Sequence, residues 1–444
     1  MTYKFRSTLL AGSAIFALLA VGDARATEGY FVQGVSAREQ ALGGAGSALP
    51  DDALTNANNP AGLVDVGHQL TGGVSLFNPN RRVNASGTVL VAPGSYSSSR
   101  DIFAIPSFGY SRPLDADRAI GVSVVANGGM DTSYSGNIAH AACALLGSAR
   151  QGVFCGGRAG VDLNQGLISL GYAQRFGNLS LGVAPVVAVQ AFSAYGLSAF
   201  TPYSSNGAAL TDRGPSWSVG AGLRVGALYK VNEQFNIAVT GATPIWTTSL
   251  SGYTGLFADG GNFDVPAVVG AGLAYKILPT LAVLVDYKHI FYSSVNSVGN
   301  AMAPIGIGLL GTSGGSGFGW RDIDVVALGV EWRPSNKLTL RAGYAHNTQP
   351  ITSANVMFNI LAPAVITDHV SGGFSYRVTP ASSVDFALVY APHAGVSGQE
   401  YLPPPFGGVY NPASNVNISM SQLQVTLGYT YRFEPTQSTV IAKY

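Results

Sequence analysis

From residue 68 to residue 433 the chain repeats one pattern: an extended stretch in which apolar and polar side chains alternate, then a turn, then another such stretch. The last of them shows it plainly. Between Ser421 and Phe433, Leu423, Val425, Leu427, Tyr429, Tyr431 and Phe433 fall on one side, while Gln422, Gln424, Thr426, Gly428, Thr430 and Arg432 fall on the other. A period of two is a strand with two unlike faces. The pattern predicts strands near 68–78, 101–112, 118–128, 163–176, 179–192, 215–230, 235–248, 265–277, 281–292, 322–333, 338–346, 369–378, 383–391 and 421–433. The number, about fourteen, is even, and most segments approach the roughly 9–11 residues of a tilted membrane strand.

The connections alternate too. Tight turns at 113–117, 177–178, 232–234, 278–280, 334–337 and 379–382 take turns with long Gly- and Ser-rich loops such as 129–162, 293–320, 347–368 and 392–420. An up-and-down barrel of the bacterial outer membrane has this asymmetry, with short turns on the periplasmic side and long loops outside. The reading is therefore an all-β transmembrane antiparallel barrel of about fourteen strands, crossing the membrane many times.

The amino terminus agrees. Lys4 and Arg6 precede an apolar run from about Leu9 to Val21, and Ala24 and Ala26 form an A-x-A cleavage pattern. Residues 1–26 read as a secretory signal peptide. No later run is long and apolar enough for a spanning helix. Charged residues make up only 11% of the chain, against about 25% in soluble domains, so part of the exterior meets something other than water. The net charge of +1 gives no footprint for nucleic acid.

Mid-strand charges settle which face is which. Leu281, Val283, Val285 and Tyr287 share a face opposite Asp286 and Lys288, and Leu338, Leu340, Ala342 and Tyr344 lie opposite Arg341. In a dry core those charges would cost several kcal/mol unless paired. In a membrane barrel they line a wet or protein-filled lumen and the apolar face meets lipid. Tyr429, Tyr431 and Phe433 then form part of an interfacial girdle. Residues 434–444 follow as a C-terminal extension in which "STVIAKY" is an alternative place for the assembly signal.

Residues 27–67 do not alternate. They are rich in small residues and turns, with a short helical turn expected where Pro50, Asp51 and Asp52 lead "ALTNANNP". Tyr30, Phe31, Val32, Leu42 and Leu54 carry enough apolar weight to pack, and the lumen is the space available, so this segment reads as a plug, or hatch. Cys143 and Cys155 lie close in an exported chain and are expected to form a disulfide. A metal site there lacks partners, since His140 is the single nearby histidine. The loop 129–162, with "AACALLG" and "GVFCGG", is apolar enough for a landing patch or for packing on itself.

The stretch "GYFVQGVSAREQALGGAGSALPDDALTNANNPAGL", with Asn59-Pro60-Ala61, resembles the FadL-type long-chain fatty acid transporters of the outer membrane. The similarity continues through "AIGVSVVANGGMDTSY", "GFGWRDIDVVALGVEW", "LRAGYAHNTQPI" and "FNILAPAVITDHVSGGFSY", so it covers nearly the whole exported chain. The resemblance implies a fourteen-strand barrel with an N-terminal hatch that takes up hydrophobic molecules passively. The ligand would be caught among outer loops, pass to a pocket bordered by the hatch, and leave sideways into the bilayer where the third strand kinks. Carried over, the hatch motif falls on Asn59, Pro60 and Ala61, and the kink on Asn127, Gly128 and Gly129. Paired glycines within a strand independently signal a bulge.

A fatty acid would also need a cation for its carboxylate, and Arg321, Arg341 and Lys288 are the candidates. Each could instead be paired in the lumen, with Asp286 or Asp324 available. A neutral aromatic hydrocarbon would need none. Long-chain fatty acids are the expected cargo, with aromatic or other neutral apolar compounds as the alternative. The expected partners are that ligand and membrane lipid, with detergent taking the pocket in vitro and the chain a monomer. The alternative of another class is a general diffusion porin or an outer-membrane structural protein; a porin would want little plug, which 27–67 argues against. No cofactor, metal or catalytic residue is expected: the six histidines are scattered, no G-x-S-x-G occurs, and "GGAGSA" lacks the strand and third glycine of a dinucleotide site.

Overall fold

The computed structural model describes residues 28–144, 148–302, 309–404 and 406–433. The signal peptide, Thr27 and the extension 434–444 lie outside the described residues. Fourteen long strands follow one another: β1 Gln69–Ser86, β2 Phe103–Pro113, β3 Arg118–Asp131, β4 Gly160–Phe176, β5 Leu179–Tyr195, β6 Ser216–Lys230, β7 Phe235–Ala242, β8 Val268–Leu278, β9 Leu281–Ile290, β10 Ile323–Trp332, β11 Leu338–Asn347, β12 Asp368–Thr379, β13 Ser382–Gly398 and β14 Asn415–Arg432. Each pairs antiparallel with its neighbours in sequence, and β14 returns to β1 with Gln69 opposite Arg432 and Ser86 opposite Asn415. The sheet is closed, so no free edge runs its length.

Every interval expected to be a strand contains one, and the departures have physical causes. β1 runs eight residues past its expected end, to Ser86. Its outer half, "NPNRRVNAS", lacks the apolar face of a lipid-facing strand, yet it keeps pairing with β14 beyond the membrane band. β7 stops at Ala242 rather than 248. Pro244, without an N–H, breaks the run, and Trp246–Thr247 resumes beside Gly220 and Ala221 of β6.

The two faces fall as the alternation requires. On β14 Leu427 is 60% exposed and Thr426 3%. At the short-turn end Phe176, Tyr229, Tyr275, Trp332, Tyr376 and Tyr431 are exposed on the outer face, and Trp217, Trp246, Tyr287 and Tyr344 are exposed toward the long-loop end. These are two aromatic girdles around an apolar band. No helix of the described residues is long and apolar enough to cross a membrane; the strands do so.

Residues 28–67 fill the lumen. Helix α1, Ala37–Ala41, is capped by Ser36, whose hydroxyl accepts from Glu39 N. The turn expected after Pro50 forms at Ala53–Ala57, with Asp52 accepting from Leu54 N at 2.9 Å. Helix α2, Leu63–Val66, leads to β1. The hatch backbone lies directly on the wall where the wall has no side chain: a Cβ on Gly343 would stand 2.1 Å from Gly43 N, and one on Gly182 2.2 Å from Ala61 N. Inward glycines let the two backbones touch.

Candidate permeation path

The wall is interrupted at β3. Pairing of β3 with β2 runs from Ala119 opposite Pro113 up to Val125 opposite Ser107 and ends there. The next residue on β2 is Pro106, which has no N–H to offer. Pairing of β3 with β4 continues to Asp131, with a bulge at Asn127 between Ala126 and Gly128. The edge of β3 freed from β2 pairs with the hatch instead: Phe31 bridges Gly128, Val32 N donates to Asn127 O at 3.1 Å, and Gly129 N donates to Tyr30 O at 3.2 Å. Ser99 N donating to Ser133 O at 2.8 Å bridges the two sides again above. The result is a window between β2 and β3. Phe77, Phe103, Ile105 and Ala126 form a small apolar cluster beside it. A cavity of about 30 Å³ lies inside, bounded by Gly29, Gly129, Met130, Phe77 and Trp320 among others.

A second cavity, of about 40 Å³, lies among the outer loops. Phe192, Phe200, Phe257, Phe318 and Phe358 line it together with leucines, and no charged side chain among the described residues does. Phe154 of the loop 132–159 packs against Phe200 with ring centroids 5.4 Å apart. Val153 and Phe154 are buried, so the "GVFCGG" part of that loop supports the pocket rather than facing solvent. Cys143 and Cys155 are joined by a disulfide within the loop. His140 Nδ1 stands 3.2 Å from Cys155 Sγ, but a disulfide leaves no thiolate for a metal.

Below the loops, Tyr30, Phe31, Tyr292 and Trp320 form an aromatic cluster, with Tyr30 and Tyr292 rings 5.0 Å apart and Tyr292 and Trp320 rings 5.2 Å apart. Tyr292 OH donates to Glu28 O at 2.6 Å and accepts from Tyr30 N at 3.1 Å. This phenol therefore holds both ends of the first hatch turn.

The third cavity, of about 110 Å³, is luminal. It is bounded by Glu28, Phe31, Glu39, Asn127, Arg224 and Lys288 among others. Lys288 faces the lumen and is paired with Glu28 of the hatch at 2.6 Å, not with Asp286, which accepts from Gly46 N at 3.2 Å and Ser47 N at 3.0 Å. Arg341 lies toward the short-turn end, bound to Glu331 at 2.8 Å. Arg321 precedes β10 in an outer loop and is exposed; it does not line the luminal cavity. Asp324, offered as a lumen partner, is engaged with His289 at 2.7 Å and Tyr287 at 2.6 Å. The structure thus brings Lys288 to the luminal cavity beside the hatch, while Arg321 and Arg341 do not line that cavity.

Sequence reasoning missed Arg224. It borders the luminal cavity from β6, and its Nη1 is buried without a hydrogen-bond partner. The signal was available in principle, as an arginine among apolar and glycine residues in "SVGAGLRVGALYK".

The Asn59-Pro60-Ala61 motif folds the hatch on itself and meets the wall where Asn59 Nδ2 donates to Ala227 O of β6 at 3.4 Å. Asn59 Nδ2 donates to Ser47 O at 2.9 Å and Asn59 Oδ1 accepts from Ala61 N at 3.1 Å. Pro60 starts the following turn, where its missing N–H costs nothing. Asn56, a turn earlier, donates to Ser123 Oγ of β3 and Ser169 O of β4 at 3.0 and 3.1 Å.

A closed fourteen-strand barrel, girdled by aromatic residues, plugged by its own amino terminus and carrying an apolar pocket among its outer loops, defines an outer-membrane channel for hydrophobic compounds. The comparisons agree. Residues 18–433 match the family of outer membrane protein transport proteins (OMPP1/FadL/TodX), and the chain belongs to that family. Its fold is that of the P. putida toluene transporter TodX (19% identity over 90% of this chain and 99% of that one, TM-score 0.66). It is equally that of a Pseudomonas aeruginosa FadL homologue (16% identity, 91% and 100%, TM-score 0.68) and of the Ralstonia pickettii toluene transporter TbuX (18% identity, 90% and 99%, TM-score 0.61). No curated protein matches the chain in sequence. Family members are transport channels rather than enzymes.

Proposed function

We propose that the channel takes up small neutral hydrophobic molecules of the monoaromatic class. They would be captured in the outer pocket, move past the aromatic cluster to the hatch, and leave into the bilayer through the window between β2 and β3. One observation carries this reading: five phenylalanines and no charged side chain among the described residues surround the outer pocket. Such a lining gains from apolar burial and from ring-to-ring contact, and it would leave a carboxylate unpaired and desolvated. Two toluene transporters share this fold, which points the same way. The window supports passive release, because lipid solvates an apolar molecule as well as the pocket does. The filled lumen supports a ligand-selective path over a general diffusion pore.

A second reading, long-chain fatty acids, draws on Arg224. A buried guanidinium with an unpartnered Nη1 beside the luminal cavity would suit a carboxylate. The two separate in one experiment. Cells carrying the channel are given labelled toluene or labelled oleate, with cells lacking it as reference. Faster toluene uptake is expected. Accelerated oleate uptake with toluene unchanged would overturn the first reading in favour of the second.

A further inference from the structure

The path above makes no use of a large polar cavity among the described residues. It has a volume of about 440 Å³ and lies at the short-turn mouth, between the underside of the hatch and the wall from β10 to β14. Six cations line it, Arg38 from the hatch and Arg333, Lys337, Arg341, Arg377 and Arg432 from the wall or its turns, against Asp51, Asp52 and Asp385.

The carboxylates nearby are already engaged. Glu331, directly behind the cavity, accepts from Arg38 Nε at 3.2 Å, Arg341 Nε at 2.8 Å and Arg333 Nη2 at 2.7 Å. Asp51 lies 3.5 Å from Arg38 and 3.7 Å from Arg341. Asp52 caps a hatch turn through Leu54 N, and Asp385 accepts from Ser375 Oγ. Even with every carboxylate ionised and Glu331 included, cations remain in excess.

The excess has an address. Arg38 is only 6% exposed, and its Nη2 is buried without a hydrogen-bond partner. The Arg432 guanidinium reaches Ser383 Oγ at 3.4 Å. Among the described residues no carboxylate stands within 4.0 Å of Arg432 or Arg377. The Arg377 and Arg432 guanidinium groups of the wall therefore face this water-accessible space with donors to spare, and Arg38 of the hatch lines it with its own Nη2 buried and unpartnered. A buried guanidinium without an acceptor is costly, and planar forks converging on one space suit a tetrahedral oxyanion.

We propose that this mouth binds a free oxyanion of the phosphate class, carrying about two negative charges, which ties the hatch to β12 and β14. A cation is excluded by the sign of the lining, and a single carboxylate leaves part of the excess unanswered. Wall strands separate the cavity from lipid, so the anion comes from the aqueous side. The oxyanion strengthens the plug without touching the hydrophobic path.

Inorganic phosphate is the probe. The full chain in detergent at low ionic strength is titrated calorimetrically with phosphate, and with chloride at matched ionic strength. Saturable binding of phosphate above the chloride signal is expected, together with slower amide exchange in residues 36–62. Arg377→Gln with Arg432→Gln, both positions in contact with water, should weaken phosphate at least about tenfold, a loss of about 1.4 kcal/mol. The heat-modifiable mobility of the barrel on gels should be retained. Arg112→Gln, an exposed cation at the same end outside the cavity, should bind phosphate as the parent does. Phosphate indistinguishable from chloride, a double variant that binds like the parent, or equal weakening by Arg112→Gln would each overturn the proposal.

Discussion

The carbonyl oxygen of Tyr30 lies where a Cβ on Gly128 would be: the two would be 1.5 Å apart. The hatch can pair with β3 only because residue 128 has no side chain. Gly128→Val therefore expels the segment 30–32 from the β3 edge and removes the hydrogen bonds of Val32 N and Gly129 N. At about 1 kcal/mol net for each, amide exchange at these two residues should quicken by about thirtyfold. Ligand uptake should fall while the barrel still assembles. Undiminished uptake in an assembled variant would show that the window is not the exit.

Glu28 and Lys288 form a latch between hatch and wall, 2.6 Å long, with the carboxylate side chain 1% exposed. Burial raises the Glu28 carboxyl above its usual range, opposed by Lys288. In Lys288→Met the carboxylate loses its partner, which costs about 3–5 kcal/mol if it stays charged and buried. The amino-terminal segment should then come away from Tyr292, seen as increased ion conductance in planar bilayers. Adding Glu28→Gln to Lys288→Met should restore much of the low conductance. A double variant as leaky as Lys288→Met would place the latch elsewhere.

The parts legible in the sequence were those governed by a local period. Alternation located each strand, because lipid outside and hatch inside impose unlike faces at every second residue. Gly128 and Gly129 marked the irregularity in β3, since glycine within a strand has few other uses, although the bulged residue itself is Asn127. What was not legible depends on contacts between elements that no local period encodes. The five phenylalanines of the outer pocket come from β5 and four separate loop positions, which no linear spacing connects. Arg341 does pair in the lumen, as the alternative to ligand binding has it, but with Glu331 opposite it on β10 rather than with Asp286 or Asp324. Arg38, far away in the hatch, shares that carboxylate.

Glu39 in α1 makes the plug sensitive to pH. Burial pushes its carboxyl up to about 7 from an ordinary value of 4.5, and Asp52 adds to the rise. Its oxygens accept from Val35 N and Asn58 Nδ2, both at 3.0 Å. A folded-state value above the unfolded one means that the folded hatch binds the proton more tightly. The contribution is complete below the unfolded value and is lost as pH rises through about 7, amounting to about 3 kcal/mol across that span. Amide protection of the hatch should therefore decline between pH 5 and pH 8. Glu39→Gln should flatten that decline, and an equally steep profile in the variant would assign the effect to another group.

Asn59 offers the sharpest test of how the plug is fastened. A Cβ on Gly226 of β6 would stand 2.0 Å from Asn59 Oδ1, so the amide occupies the place of a wall side chain. Asn59→Ala leaves Ser47 O and Ala61 N, both buried, without their partners, at about 1–3 kcal/mol for each group. Gly226→Val attacks the same contact from the wall side. Both should loosen the hatch without preventing barrel assembly, because the strand ladder is independent of it. Higher ion conductance with unchanged heat-modifiable mobility is the expected pair of results. Were either substitution to leave conductance at the parental level, the plug would have to be held chiefly by its other anchors, at Asn56, Asp286 and the Glu331 cluster.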